Sequence, residues 1–334
     1  MQKRKERIDR GIKVLSEDIS ALLSWREMLY LAGPRLLPVL ALIVLPLILP
    51  PYWQKVLLSV AIFSLLAMGW DILGQTGMVS LGQSLFFGVG AYLAGIMNHS
   101  LGWPPIVTIP AATISGGLIC TAILAPVLKL RGVYFAMVTM ILPMMLVRVI
   151  EATKIFGGTE GISGLESIAS RWVELYLVLA VAVIVLFGFR RLMGSDFGLV
   201  LKGIKDNDVS VLSSGFNVFW YKTLCLLLSA SVGAFAGAFM SHTYMVVGMA
   251  MFSLEYSMLP IGAAVVGGVG TSAGPMLGAF ILVPLSEVLR GLGGLRVALY
   301  GIFLLVFVVA LPEGVFHYIK QKYFQFERLV EVEK

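Results

Sequence analysis

The chain has 334 residues, of which 58% are hydrophobic and only 13% are charged, and its formal net charge is +6. A soluble domain carries about 25% charged residues, so the composition excludes an ordinary soluble protein and indicates an integral membrane protein. The apolar residues form continuous runs, which favours helices over the alternating pattern of a barrel. The basic residues cluster between these runs, so the positive charge indicates membrane topology and no nucleic-acid partner.

Residues 1–35 form a basic segment with amphipathic character. Five charged residues start at Lys3, and apolar residues recur at helical spacing from Ile12 to Leu22. This pattern favours a cytoplasmic segment that lies on the membrane and contacts anionic lipid. A disordered tail is the alternative. No cleavable signal peptide is expected, because the first apolar run begins near Leu36.

Ten apolar runs follow, and they predict an all-α polytopic membrane helical bundle of about 8–10 transmembrane helices over residues 36–312. Several runs are shorter than the roughly 20 residues that a spanning helix needs, and eight or nine spans are expected if one of the runs is re-entrant. The runs are 36–50, 56–74, 84–98, 105–128, 133–150, 173–189, 219–240, 257–270, 274–290 and 297–311.

The distribution of lysine and arginine predicts the orientation. If the ten spans hold, the N-terminal tail, Lys129, the residues after Arg190 and the tail 313–334 all fall on one side. Basic loops face the cytoplasm, so both termini are expected to be cytoplasmic. Arg290 and Arg296 fall on the other side and weaken this scheme.

The longest polar stretch between apolar runs covers residues 195–222 and predicts a short cytoplasmic helix at about 196–215. Ser195 or Asp196 can cap its start, and Gly215 is typical of a left-handed stop. Apolar residues recur at helical spacing at Val200, Ile204 and Val211. Two interpretations stay open at this point: a solvated loop, or a docking helix for a cytoplasmic partner.

Enzymatic motifs are missing from the sequence. It contains no P-loop, HExxH or CxxC pattern, so we expect no catalytic, cofactor or metal site in this chain. Cys120 and Cys225 are expected to be buried small residues. Asp71 has no evident partner in its apolar run, and Glu255 is predicted to lie near the outer mouth of the eighth run.

Small residues indicate close helix contacts. Gly233 with Gly237, and Gly270 with Gly274 and Gly278, have the GxxxG spacing that lets membrane helices approach closely. Polar residues near the glycine-dense stretch Gly77–Tyr92 predict the border of a translocation path. The predicted path residues are Asp71, Ser80, Gln83, Tyr92 and Thr139.

Five sequence elements occur in an order that resembles one family. They are Trp70–Ile96, the LRGVYFA element from Leu130 with Thr139, the GGTEGI loop at 157–162, the GGVGT element at 267–279 and the LPEG element at 311–314. Together they are similar to the permease subunit of branched-chain amino acid ABC importers, of the subtype with the longer N-terminal extension. Urea and amide permeases of the same family are also close.

The resemblance gives the polar stretch a role as the coupling helix, which sits in a groove of an ATPase subunit. The residues that match the family's pattern are Lys202, Gly203, Lys205, Asp206, Asn207, Asp208 and Gly215. The implied partners are a second homologous permease, two ATPase subunits that bind ATP and magnesium, and a periplasmic or lipoprotein binding protein. The implied location is the plasma membrane of a bacterium or archaeon.

The substrate stays open at this stage. The resemblance implies branched-chain amino acids, with urea, short amides or aromatic acids as alternatives within the same importer type. An ion-coupled carrier or channel that acts alone is the alternative of another class. Few ionisable residues lie within the runs, which favours energy supplied by other subunits.

Overall fold

The structure is a computed structural model that describes residues 3–7, 38–130, 132–168, 170–293, 295–324 and 327–331. In its first half the elements are β1 (Lys3–Arg7), α1 (Pro38–Ile48), α2 (Pro51–Gly74), α3 (Gln83–Leu101), α4 (Pro105–Leu124), α5 (Val133–Thr153), β2 (Ile162–Ser163) and α6 (Arg171–Met193). In its second half they are α7 (Asp196–Ser213), α8 (Val218–Tyr244), β3 (Val246–Val247), α9 (Glu255–Gly267), α10 (Ala273–Val288), α11 (Leu295–Ala310), α12 (Val315–Phe324) and β4 (Glu327–Glu331).

Eight stretches of the described residues are long and apolar enough to cross a membrane. This confirms an all-α polytopic bundle, at the lower end of the predicted range of 8–10 spans. Two predicted runs, 36–50 and 84–98, are not among the eight. The run 84–98 forms the largely buried helix α3. In the run 36–50 only α1 is described, and at 1.5 Å per residue it covers roughly 16 Å of the roughly 30 Å hydrocarbon core.

The centre of the bundle is formed by α2, α3 and α8, with α4 packed against the last two. Glycines make these contacts possible, because they let one backbone lie directly on another. Gly237 lies against the carbonyl of Phe87, and a Cβ at Gly233 would lie 2.6 Å from the Cβ of Phe86. The helices α5, α6 and α11 are peripheral and expose apolar side chains along much of their length.

The second glycine cluster joins α9 to α10. Gly278 lies against the carbonyl of Ala263, and Gly274 against that of Gly268. Gly270 was predicted to belong to the same helix contact, and this is wrong. It lies in the turn before α10 with φ +85°, in the left-handed region that favours glycine.

The two ends of the chain meet. β1 pairs antiparallel with β4, so that Lys3 lies opposite Glu331 and Arg7 opposite Glu327. Both tails therefore lie on the same side of the bundle, as the charge distribution predicts. The predicted amphipathic helix after residue 10 lies outside the described residues.

Candidate functional site

The predicted cytoplasmic helix exists as α7, and its first half is anchored to the bundle. Leu201 and Ile204 are buried in an apolar cluster with Met78 of the α2–α3 loop. Gly215 has φ +88° and its amide donates to the carbonyl of Leu212 at 3.0 Å, so the predicted left-handed stop is present. Ser195 holds the N-cap position, but its hydroxyl donates to the carbonyl of Leu192 at 2.6 Å instead of capping α7.

The helix is broken at Asn207, which the sequence analysis missed. Asn207 has φ −158° and ψ 100°, and its Oδ1 accepts hydrogen bonds from the amides of Val209 at 3.1 Å and Ser210 at 3.2 Å. Asparagine is a strong N-cap residue, and this preference is the signal that sequence reasoning could have used. We call residues 196–206 the anchor and residues 208–216 the tip of the coupling segment.

The tip exposes apolar side chains. Val209 is 55% exposed, Leu212 60% and Phe216 44%. Exposed apolar side chains that group within a polar segment indicate a surface for another protein. The coupling residues predicted from the sequence did not include Val209 or Leu212.

The predicted coupling residues divide between the surface and internal contacts. Asp208 is half-buried and its carboxylate lies 3.6 Å from Nζ of Lys222 at the start of α8. Gly203 is covered by Val211, which lies 3.0 Å from the position of a Cβ there. The others lie on the exposed surface, namely Lys202, Lys205, Asp206, Asn207 and Gly215.

The anchor contacts the loop of residues 75–82 between α2 and α3. Gly77 has φ +77°, and a Cβ there would lie 3.5 Å from Cα of Lys205. Thr76 and Met78 share a cleft with Ile204 and Asp208 of the coupling segment. A displacement of the anchor therefore acts directly on this loop.

From Gly77 the loop turns back into the bundle, so α3 starts inside it. The amide of Leu81 donates to Oγ1 of Thr139 at 3.0 Å, and Gly82 lies against the carbonyl of Thr139. Nε2 of Gln83 reaches Oγ of Ser229 at 3.4 Å. Ser229 lies roughly 16 Å along α8 from its start at Val218 by the helical rise, which is about half the thickness of a hydrocarbon core.

The predicted path residues are all buried, with exposed fractions between 0% and 4%. The structure brings Ser80, Gln83 and Thr139 together at the end of the loop 75–82. Tyr92 lies farther out on α3, and its hydroxyl, like Oε1 of Gln83, has no hydrogen-bond partner within the described residues. That these residues border a translocation path stays a prediction.

Asp71 has a partner that is distant in sequence. Its Oδ1 accepts a hydrogen bond from the amide of Gly270 at 2.6 Å, and its Oδ2 lies 3.5 Å from Nε2 of Gln75. The carboxylate thus holds the turn between α9 and α10 against the end of α2. Burial with these donors explains the residue structurally.

The opposite end of the bundle is held by a buried histidine that the sequence analysis assigned no role. Nε2 of His242 lies 2.7 Å from Oγ1 of Thr108, and Nδ1 lies 2.7 Å from the carbonyl of Glu166. Oδ1 of Asn98 accepts from the amide of Glu166 at 3.0 Å. These bonds fix the loop that follows the GGTEGI element against α3, α4 and α8.

Comparison with known proteins identifies what this arrangement resembles. Residues 52–311 match the model of the family described as "Branched-chain amino acid transport system / permease component". The chain is 25% identical over 285 residues to the high-affinity branched-chain amino acid transport system permease protein LivM of Escherichia coli K12. It is 26% identical over the same length to the LivM protein of Salmonella typhimurium LT2.

An archaeal relative is similar to the same degree. It is the probable branched-chain amino acid transport permease protein LivM of Methanocaldococcus jannaschii, with 25% identity over 221 residues. The alignments cover 76% of this chain and 67% of each bacterial relative, and 60% of this chain and 64% of the archaeal one. No solved structure matches the chain.

Proposed function

The chain belongs to the family of branched-chain amino acid transport system permease components, and we propose that it is a membrane subunit of an ATP-driven importer for branched-chain amino acids. In this proposal it forms the translocation path with a second, homologous permease. Two ATPase subunits bind ATP and magnesium, and an extracytoplasmic binding protein delivers the substrate. The names of the curated relatives support the substrate class.

The coupling segment is the observation that carries the proposal. Its anchor is buried against the bundle through Leu201 and Ile204, while its tip exposes Val209 and Leu212. A segment that is fixed at one end and apolar at the other transmits movement from a partner to the spans it joins. A carrier that acts alone has no use for such a surface.

Two contacts would transmit a movement of the anchor to the membrane helices. Lys205 lies on Gly77, so the anchor acts on the loop that leads to Thr139 and the start of α3. Gln75 lies in the same loop, and its Nε2 is 3.3 Å from the position of a Cβ at Gly270. The turn between α9 and α10 is therefore reached through the same loop.

Joint movement of the loop 75–82 and of the turn between α9 and α10 would open the translocation path to one side of the membrane at a time. In the described chain the predicted path residues are closed off from solvent. Displacement of the loop 75–82 would separate Leu81 from Thr139, since a single hydrogen bond and the glycine contact at Gly82 join them. The path would then open toward the cytoplasm when the ATPase subunits change state.

Uptake into vesicles tests the proposal. The chain is reconstituted with its second permease and the ATPase subunits, with ATP inside and the loaded binding protein outside. We expect uptake of labelled leucine, isoleucine or valine that stops without ATP hydrolysis. Uptake by the chain alone, driven by an ion gradient, would contradict the proposal. ATP-dependent uptake of urea, amides or aromatic acids only would overturn the substrate class and keep the importer.

A further inference from the structure

A cavity of about 150 Å³ opens between α2, α6 and α8, at the end of the bundle opposite the coupling segment. α8 begins at Val218, beside the tip, and ends at Tyr244, so its 27 residues cover roughly 40 Å by the helical rise. That length matches a bilayer with its headgroup regions, which places the cavity at the depth of lipid headgroups. Its polar lining residues are Gln54, Lys55, Arg171, Glu174, Thr243 and Tyr244.

Glu174 brings a buried carboxylate to this cavity. The residue is only 9% exposed, and its side chain accepts no hydrogen bond within the described residues. The charge of Arg171, one helical turn earlier, and the position in the first turn of α6 both stabilise the ionised form. Because a buried acceptor normally has a donor, the carboxylate indicates a ligand that donates hydrogen bonds.

Gln54 adds a second acceptor. Its Nε2 donates to the carbonyls of Pro46 and Leu49, each at 3.1 Å, and these two bonds fix the orientation of the amide. Its Oε1 is therefore left as an acceptor, and it makes no hydrogen bond within the described part of the chain. Two buried acceptors on neighbouring helices suit a primary ammonium group, which has three N–H donors.

The rim of the cavity carries positive charge. Lys55 and Arg171 are both exposed, and neither forms a direct ion pair with another described residue. Lysine and arginine are the side chains that proteins use to bind phosphate. With acceptors inside and cations at the rim, the cavity fits a ligand that joins an ammonium group to a phosphate, whereas a simple anion would leave Glu174 without a donor.

Apolar side chains continue from the cavity along the outside of the bundle. Trp172 and Tyr176 stack with ring centroids 6.2 Å apart, and the Tyr176 hydroxyl donates to the carbonyl of Ile43 in α1 at 3.1 Å. Such aromatic side chains are typical of the headgroup level of a membrane. Farther along α6, Leu177 and Ile184 are exposed. A polar cavity that adjoins an apolar membrane surface favours a lipid over a free solute.

We propose that this cavity binds a phospholipid whose headgroup combines a phosphate with a primary ammonium, as in phosphatidylethanolamine. The ammonium donates to the carboxylate of Glu174 and to Oε1 of Gln54, while Lys55 and Arg171 bind the phosphate. The acyl chains lie along the exposed apolar face of α6. The lipid thereby joins the corner between α1 and α2 to α6 and α8. This site goes beyond the proposed function, since it does not depend on the transported solute.

Lipid binding to the full chain in detergent, followed by native mass spectrometry, tests the headgroup. The probes are phosphatidylethanolamine, its N-methylated forms up to phosphatidylcholine, and phosphatidylglycerol, all with the same acyl chains. We expect binding to weaken as methyl groups replace N–H donors, by about tenfold for phosphatidylcholine, because hydrogen bonds between charged groups are lost. Equal binding of phosphatidylethanolamine and phosphatidylcholine, or tighter binding of phosphatidylglycerol, would overturn the assignment.

Substitutions test the two halves of the site. Glu174→Gln keeps the size of the side chain and should abolish the preference for phosphatidylethanolamine, while Glu160→Gln, an exposed glutamate in the loop before α6, should retain it. Lys55→Gln with Arg171→Gln should weaken binding of every phospholipid, with Lys154→Gln as the control at the same end of the bundle. An unchanged preference in Glu174→Gln would contradict the proposal. If Glu174→Gln fails to fold, the headgroup series on the wild-type chain decides alone.

Two competitors separate a lipid from a free zwitterion. Glycerophosphoethanolamine has the same headgroup without acyl chains, and leucine has an ammonium group without a phosphate. We expect neither compound to displace bound phosphatidylethanolamine. Displacement by leucine would assign the cavity to a transported solute, and displacement by glycerophosphoethanolamine would show that the apolar surface of α6 contributes nothing. Either result would overturn the assignment to a lipid.

Discussion

The contact between α3 and α8 and the coupling segment are built in opposite ways. In the first, glycines bring two backbones together, and Gly237 and Gly90 leave no space for a side chain. In the second, an anchor held to the bundle by the buried Leu201 and Ile204 carries a tip that exposes apolar side chains. The first has its partner within the chain, whereas in the proposed function the partner of the second is another subunit.

This difference separates folding from function. Changes in the α3–α8 contact should act on the stability of the bundle, because they alter internal packing. Changes in the tip should act on coupled transport and leave the bundle folded. Four substitutions test this separation, and their expected effects decrease from Gly237 to Asn207.

Gly237→Leu should prevent formation of the native bundle. A side chain there would collide with the carbonyl of Phe87, and a backbone obstacle cannot move aside as a flexible side chain can, so the cost should exceed about 3 kcal/mol. The yield of monodisperse protein in detergent measures this. Gly188→Leu in α6 is the control, since nothing lies within 4 Å of its Cβ position. Equal yields of the two variants would contradict the packing account.

The double variant Val209→Asp with Leu212→Asp should leave the bundle folded and abolish coupled uptake. Loss of two central apolar contacts costs roughly 2 kcal/mol or more in an interface, which weakens docking about thirtyfold. Uptake and ATP hydrolysis are measured in the reconstituted complex, with Ser213→Asp as the matched control in the same turn. Normal uptake by the double variant would show that the tip is not a docking surface.

Asp71→Ala should destabilise the bundle and Asp71→Asn should do so less. The alanine variant leaves the amide of Gly270 without its acceptor, at a cost of about 1–3 kcal/mol for a buried group. Asparagine retains an acceptor oxygen. The midpoint of thermal unfolding in detergent should decrease from the wild type to Asp71→Asn and then to Asp71→Ala. An unchanged midpoint for Asp71→Ala would exclude the role of this carboxylate in holding the α9–α10 turn.

Asn207→Ala should reduce uptake a few-fold, and Asn207→Asp should restore it. Alanine removes the cap of the tip helix, at a cost of about 1 kcal/mol, and aspartate caps equally well. Because the cap lies outside the core, the unfolding midpoint should stay within error. If aspartate failed to restore uptake, the effect of alanine would have to come from something other than the cap.

The sequence was sufficient to predict the membrane class, the all-α bundle and the position of α7. Long apolar runs and the stop at Gly215 are local signals, and local signals survive in a single sequence. The partner of Asp71 could not be predicted because Gly270 lies in the turn between α9 and α10, 199 positions away. The same limit applies to the amide of Ser84, which donates to Oγ of Ser257 at 3.0 Å only in the folded chain.

Hydropathy identifies the run 84–98 but does not reveal that α3 starts inside the bundle after the loop 75–82, where Leu81 and Gln83 contact Thr139 and Ser229. The break at Asn207 was missed because a helical pattern continues through it from Ile204 to Val211. The apolar tip could not be predicted from the family pattern, because the residues that match this pattern are charged residues, Asn207 and glycines, and Val209 and Leu212 are not among them.

Crosslinking from the tip tests the central claim most directly. A photoreactive amino acid replaces Leu212 in the assembled, ATP-hydrolysing complex, and the product is identified by mass spectrometry. We expect a crosslink to an ATPase subunit that changes in yield when nucleotide is added. A crosslink only to lipid or to the binding protein would contradict the account.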